Sequence, residues 1–393
     1  MISVEEARNI IHEQVFSVSA IKKSLSDIRR NDLLAEDIVT PVDLPLFSNS
    51  MMDGYVVADV CETYQIAGEI AAGNTSQIVI ENGEAYRIFT GAPVPENSFA
   101  VIMQEKASVT GSTVTFLEQP VKYKNIRQKG DQVRKGETVL PTGTLLTPGV
   151  IGFLANMGIE QISVYDKPKI AILTTGDECK SPGSKLEYGQ IYESNSLMLD
   201  SALSENGYTA KQKIHAGDTY EETKRHIEDL LAKNDVLIIS GGISVGDHDY
   251  VNKCLTDLGV NQLIYKIKQK PGKPFFLGRL ADKVVIALPG NPASSLTCLY
   301  LYGLPVIKLL SGAPADRIFP AEINMHLAHP HEKKGDRPEF VRSCYHPTGG
   351  NVDILTKQRS SMLHSYAIAN CLVHLPEGDH KLIEGQTVTG YLL

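Results

Sequence analysis

The stretch that most limits what this chain can fold into is Asp235 to Tyr250, which reads Asp-Val-Leu-Ile-Ile-Ser-Gly-Gly-Ile-Ser-Val-Gly-Asp-His-Asp-Tyr. Val236 to Ile239 form an unbroken apolar run with β-branched residues, as a central parallel strand covered on both faces requires. Gly241 and Gly242 then remove side chains where the strand should stop, and Asp247 and Asp249 follow. Ligands of open α/β sheets bind at the carboxyl ends of the strands, and paired glycines let a phosphate or ring approach the backbone. The alternative is a plain strand-to-helix connection, which also uses glycine.

At 393 residues the chain must build several cores, two to four by usual domain size. With 42% hydrophobic and 21% charged residues the composition is that of a soluble protein, and no apolar run approaches a bilayer-spanning length. Met1-Ile2-Ser3-Val4-Glu5-Glu6 lacks the basic start and apolar core of a signal peptide, so a cytoplasmic chain without membrane attachment is expected. Cys61, Cys179, Cys254, Cys298, Cys344 and Cys371 form no Cys-x-x-Cys pair, which argues against a disulfide framework or thiolate zinc site. The formal charge of −8 disfavours general nucleic-acid binding, so an anionic ligand would have to be met by local positive charge.

Ser3 with Glu6 forms a capping box ahead of an amphipathic helix over about 4–15, and a second helical stretch is expected around 27–35. Pro45-Leu46-Phe47-Ser48-Asn49-Ser50-Met51-Met52-Asp53-Gly54-Tyr55 is too polar for a core strand and too apolar for a casual loop, and reads as an ordered binding loop. From about 61 to 128 short strand-like runs alternate with Gly, Asn and Pro turns, with a hairpin signal around Thr110-Gly111-Ser112. This is a small, mostly β region. Thr90-Gly91-Ala92-Pro93-Val94-Pro95 lies within it, either a stiff turn offering backbone donors or a simple turn.

A helix follows over 148–157, and from Lys169 strand and helix alternate, giving a doubly wound α/β domain. Its strands end in Thr175-Gly176-Asp177-Glu178, in Ser240-Gly241-Gly242 and in Leu288-Pro289-Gly290-Asn291-Pro292, so three polar strand ends should meet on one edge. Asn291 as N-cap and Pro292 at the first helical position open a long helix whose free amides suit an anion. Lys266, Lys268 and Lys270 alternate as if on one face of a strand, with Lys273 close behind. In an acidic protein such a row gathers around an anion or guards a solvated edge strand. The remainder, from about 317, shows short strands and no helix longer than the neighbourhood of 361–369, as a small β-barrel-like domain would. His326, His329 and His331 are spaced too loosely to suggest a metal site and read as surface histidines.

Seven motifs in order now carry a resemblance: Asn49 to Tyr55, Arg87 to Pro95, Thr175 to Glu178, Gly189 to Asn195, Ser240 to Asp247, Lys270 to Pro274 and Leu288 to Pro292. Over nearly its whole length the chain resembles the MoeA family of molybdopterin molybdenumtransferases, represented also by the E domain of gephyrin. The resemblance implies a multidomain α/β fold. Domain I, helical and extended, would take 1–44 and 131–168, and a small β domain II would take 45–130. A MogA-like α/β domain III would take 169–314, and a β-barrel domain IV 315–393. It implies a homodimer whose site is shared between subunits, and insertion of molybdenum from molybdate into adenylyl-molybdopterin, with Mg²⁺-dependent loss of the adenylate. Contacts with the molybdopterin adenylyltransferase and other proteins of the cofactor pathway are implied too.

Carried over by motif, the functional residues are Asp53, Thr90, Glu178, Asp218, Asp249, Lys266 and Lys270. Substrate would be bound by Ser240, Gly241, Gly242, Ser244, Gly246, Asp247, Lys273, Pro289, Gly290 and Asn291, with Arg342 and Ser360 lining an oxyanion site. Asp249 is the expected Mg²⁺ ligand. Gln132 stands where the family often has an acid. Two other readings are an adenylyltransferase, which shares the Ser240-Gly241-Gly242 type of domain but lacks the flanking ones, and a gephyrin-like binding scaffold.

Overall fold

The computed structural model describes every residue except Val15, Ser17 and 244–249. The chain folds as two units, Glu36–Ile162 and a second one built from Met1–Ala35 with Ser163–Leu393.

In Glu36–Ile162 the strands are β1 (Gly54–Val57), β2 (Thr63–Ile70), β3 (Glu84–Ile88), β4 (Ala100–Met103), β5 (Ala107–Thr110) and β6 (Thr113–Phe116). They form one sheet in the order β4-β1-β3-β2-β6-β5, with β5 and β6 making the hairpin around Gly111. Both of its faces are covered. Tyr55, Val57, Tyr64, Ala85 and Ile102 pack on one side, and Val56, Ile70, Ile88 and Val101 on the other. Asn49 and Ser50 pair with Arg127 and Ile126, which gives the polar stretch before β1 a fixed backbone.

The second unit opens with α1 (Val4–His12), whose Ser3 and Glu6 make both bonds of the capping box. No α-helix forms over 27–35, where only a 3-10 turn, Leu25–Asp27, reaches its first residue. The Asp32 carboxylate accepts from the Arg29 amide and from Lys23 and forms an ion pair with Lys167, which binds the chain into a turn that a helix would break.

The α/β sheet comprises β7 (Ile170–Thr175), β8 (Ala210–Ala216), β9 (Val236–Ser240), β10 (Asn261–Tyr265), β11 (Phe276–Leu280) and β12 (Lys283–Leu288). Their order is β8-β7-β9-β12-β11-β10, parallel through the first four and antiparallel at the other edge. All five residues of β9 are buried, as the unbroken apolar run predicts. α2 (Asn195–Glu205) packs on one face, and α3 (Tyr220–Lys233) and α4 (Tyr250–Asp257) on the other.

After β12 a single helical run holds α5 (Pro292–Cys298), a π-helical turn Leu299–Gly303 and α6 (Leu304–Leu310). At 19 residues, Pro292–Leu310 is long and apolar enough to cross a membrane, contrary to the expectation that no apolar run approaches that length. It is a core helix, with 83% of its apolar window inside the protein.

The last domain closes as a barrel of β13 (Glu322–Leu327), β14 (Glu339–His346), β15 (Asn351–Ile354), β16 (Cys371–Leu375) and β17 (Thr387–Leu392), in the order β13-β15-β14-β16-β17. Residues 361–369 form turns instead of the expected helix. The Arg342 guanidinium draws the carbonyls of Lys357 and Arg359 inward just before them.

Candidate active site

The parallel register places Thr174, Ser240 and Leu288 side by side, so the ends of β7, β9 and β12 meet on one edge as expected. A cavity of about 990 Å³ opens there, walled by the turns after these strands, by the 270–274 loop and by barrel residues Arg337 and 358–361. Gly241 has φ +104°, and a Cβ on it would stand 2.7 Å from Thr175 Oγ1. Only glycine lets β9 end against β7 with this backbone. Asn195, at the start of α2, donates to Ser240 Oγ at 2.9 Å and to the Gly290 carbonyl at 2.8 Å, tying two of the strand ends together.

Part of the lining is acidic. Glu178, Glu193 and Asp218 belong to it, and the Asp177 and Asp218 carboxylates each accept the other residue's backbone amide, at 3.1 and 3.3 Å. Burial, together with the neighbouring Asp177 and Glu178 charges, holds the Asp218 carboxyl above its ordinary value. Burial first, then the Glu178 and Glu193 charges, pushes the Cys179 thiol to about 11, so it is neutral there.

The same lining also carries four cations, Lys270, Lys273, Arg337 and Arg359. The lysine row is not a strand face. β10 stops at Tyr265, Lys266 takes φ +64°, and the alternation expected of a strand is lost. Lys266 lies over the Tyr265 ring at 4.4 Å and Lys268 pairs with Glu377 at 2.8 Å. Only Lys270 and Lys273 of the four reach the cavity.

Pro289, Gly290, Asn291 and Ser360 also line it. The start of α5 is less free than an anion seat requires. The Asn291 side chain makes no cap, and the Ala293 amide donates to the Ser360 carbonyl at 3.1 Å. Arg342 stands behind the lining, fully buried. Its Nε donates to Ser365 Oγ at 3.0 Å and its Nη2 to the Lys357 and Arg359 carbonyls, which fixes the stretch carrying Ser360.

Arg337, Arg359 and Asn195 are lining residues that the sequence reading did not select. For the arginines the available signal was the need of an acidic chain to gather cations around an anion, and Asn195 closes the Gly189 to Asn195 motif. Ser244, Gly246, Asp247 and Asp249 lie outside the described residues. His329 and His346 flank Asp353 at 3.5 and 3.0 Å, and no group of three metal-ligating side chains occurs among the described residues.

In the other unit, Asp53 Oδ1 accepts from the Thr90 amide and hydroxyl, both at 2.8 Å. The Thr90 backbone bond, then the hydroxyl, hold its carboxyl below the ordinary range, so it is a fixed and ionised acid. Arg87 lies beside it, its guanidinium over the Tyr55 and Phe89 rings at 5.2 and 5.3 Å.

Family models match along the chain in three segments. The MoeA N-terminal region (domain I and II) matches residues 2–158, the probable molybdopterin binding domain 171–309, and the MoeA C-terminal region (domain IV) 324–393. A molybdopterin molybdenumtransferase of Haemophilus influenzae is 34% identical over 410 residues, covering 99% of this chain and 98% of its own. Molybdopterin molybdenumtransferase 2 of Mycobacterium tuberculosis is 31% identical over 96% of each chain. The crystal structure of a molybdopterin biosynthesis moeA protein from Pyrococcus horikoshii matches the fold with a TM-score of 0.85, at 26% identity and 100% coverage of both chains.

Proposed function

Because the chain belongs to the MoeA family of molybdopterin molybdenumtransferases, we propose that it inserts molybdenum from molybdate into adenylyl-molybdopterin and releases AMP. The observation that carries this reading is that one cavity is lined both by cations, Lys270 and Lys273, and by acids, Glu178 and Asp218. Both substrates are anions. The lysines, with Arg337 and Arg359, would hold phosphate and molybdate oxygens by charge-assisted hydrogen bonds, while Gly241 and Gly290 let the nucleotide approach the backbone. Arg342 acts from behind, keeping Ser360 at the cavity by its bonds to the neighbouring carbonyls. Such a site works by positioning two anions and neutralising charge, without a covalent intermediate on the protein.

Mg²⁺ fits this donor set. The Asp218 carboxyl is raised in part by the like charges of Asp177 and Glu178, a repulsion that a divalent cation relieves. Mg²⁺ needs only one or two carboxylates when substrate phosphates and water supply the rest. Glu178 and Asp218 would hold it, with Asp249 as the further acid that the resemblance selects. The ion would supply neutralisation of phosphate charge.

Asp53 and Thr90, a preorganised acid and hydroxyl on the Glu36–Ile162 unit, complete the site in this reading from the second subunit of a homodimer. The partition into domains I to IV, docking with other proteins of the cofactor pathway and a cytoplasmic location belong to the same reading. The test is molybdate-dependent release of AMP when the purified chain is given adenylyl-molybdopterin, Mg²⁺ and molybdate. A rate of AMP release that molybdate does not change would overturn the reading.

A further inference from the structure

The loop that carries Lys270 and Lys273 to the cavity rests on buried side chains that the chemistry above does not use. Gln269 is 0% exposed. Its Nε2 donates to the Pro271 carbonyl at 2.9 Å, and its Oε1 accepts the hydroxyl hydrogen of Tyr302. Tyr302 is also 0% exposed, and its ring packs 5.1 Å from that of Phe275, two residues beyond Lys273. Between these feet, Cys298 Sγ donates to the Gly272 carbonyl at 3.4 Å, and a Cβ on Gly272 would come within 2.4 Å of that sulfur. One tyrosine thus bonds to the residue before the loop and packs on the residue after it.

Tyr302 lies in the π-helical turn Leu299–Gly303. Pro305 accounts for the turn, because it has no N–H to donate to the Leu301 carbonyl four residues back and the helical ladder must change register. Turns of this kind recur at functional sites, where they re-aim a side chain out of a regular helix. Here the re-aimed group is a buried hydroxyl, and it donates to the Gln269 side-chain oxygen next to the lysine loop.

We propose that Tyr302, acting through Gln269 and Phe275, is a positioning residue that sets where the Lys270 and Lys273 ammonium groups stand in the cavity. It touches no substrate. The proposal rests on the reading that these two lysines hold the substrate's phosphate.

The experiment is calorimetric titration of the full chain with AMP, alongside steady-state kinetics of AMP release, for Tyr302→Phe, Gln269→Leu, Lys270→Ala and Tyr208→Phe. Tyr208 is buried in the same domain with its hydroxyl on Ser311, away from the loop, and serves as the control for loss of a buried hydroxyl. Tyr302→Phe should weaken AMP binding about fivefold, the size of one buried hydrogen bond, Gln269→Leu, which also loses the bond to the Pro271 carbonyl, at least as much, and both should raise KM more than they lower kcat. The double variant should be no weaker than Gln269→Leu, because that change already removes the bond that Tyr302→Phe removes. Tyr208→Phe should lower the melting temperature and leave AMP affinity alone.

Wild-type AMP affinity in folded Tyr302→Phe, where Lys270→Ala weakens it, overturns the proposal and spares the phosphate reading. Unchanged affinity in Lys270→Ala overturns both. Should Tyr302→Phe not fold, Gln269→Met fills the same volume without the acceptor, and wild-type affinity in that variant overturns the proposal equally.

Discussion

Lys270 Nζ and Glu339 Oε1 stand 3.0 Å apart, the lysine 52% exposed and the glutamate 14%. A carboxylate on the barrel therefore holds an ammonium whose other donors take no further side-chain partner among the described residues and suit an anion. Replacing Lys270 by alanine should weaken adenylyl-molybdopterin binding about tenfold, the loss of one charge-assisted contact discounted for exposure. Equilibrium binding at moderate salt measures this, and the far-ultraviolet spectrum should not change.

Asp53 and Asp218 lie in different units of the chain. If a dimer shares its sites, Asp53→Ala and Asp218→Ala homodimers should each be inactive, and subunit exchange between them should restore activity. A mixed dimer keeps one site free of both changes. Native mass spectrometry verifies the heterodimer, and a verified heterodimer without AMP release would mean that both residues act within one chain.

How much was legible follows from which residues carry their own structural cause. Val236 to Ile239 announce a doubly covered strand, and Gly241 is needed because Thr175 leaves no room for a Cβ. The meeting of three strand ends was therefore readable. The lysine row was not, since nothing in the residue type says that Lys266 takes φ +64° and ends the alternation. Nor did the sequence disclose that Lys167 would capture Asp32 across the fold and replace a helix by a turn. Arg337 and Arg359 reach the cavity only because the barrel packs there, a tertiary fact without a local pattern.

Asp218 makes a pH-dependent prediction. Its folded value is raised, so relative to the unfolded chain it favours folding only while protonated, and it costs stability as pH rises through that folded value. Asp218→Asn should melt higher than wild type at neutral pH, with the gap closing below about pH 4, where the unfolded carboxyl also protonates. Mg²⁺ should raise the melting temperature of wild type more than that of the variant. Thermal melts across pH, with and without the ion, check both signs; a variant that melts lower than wild type at neutral pH contradicts them.

Asp32 behaves in the opposite sense. Burial alone would raise its carboxyl, but bonds from Lys167, the Arg29 amide and Lys23 outweigh burial and hold it below the ordinary value. Its contribution is present above the unfolded value of about 3.9 and is lost as pH falls through the folded one. Asp32→Asn should cost about 3 kcal/mol at neutral pH, since two lysines lose a buried partner. Urea unfolding measures the difference, which should shrink in acid.

The barrel grips the lysine loop through its backbone: the Lys270 amide donates to the Pro338 carbonyl at 2.9 Å, and the Phe340 amide to the Lys270 carbonyl at 2.8 Å. Such a splice makes the two domains thermodynamic neighbours. Whatever free energy a bound phosphate contributes to ordering residue 270 is felt at the mouth of β14. A chain shortened before Glu322 would then not be a smaller enzyme with one module missing, because the strand that pins its main cation would have gone with the deleted piece.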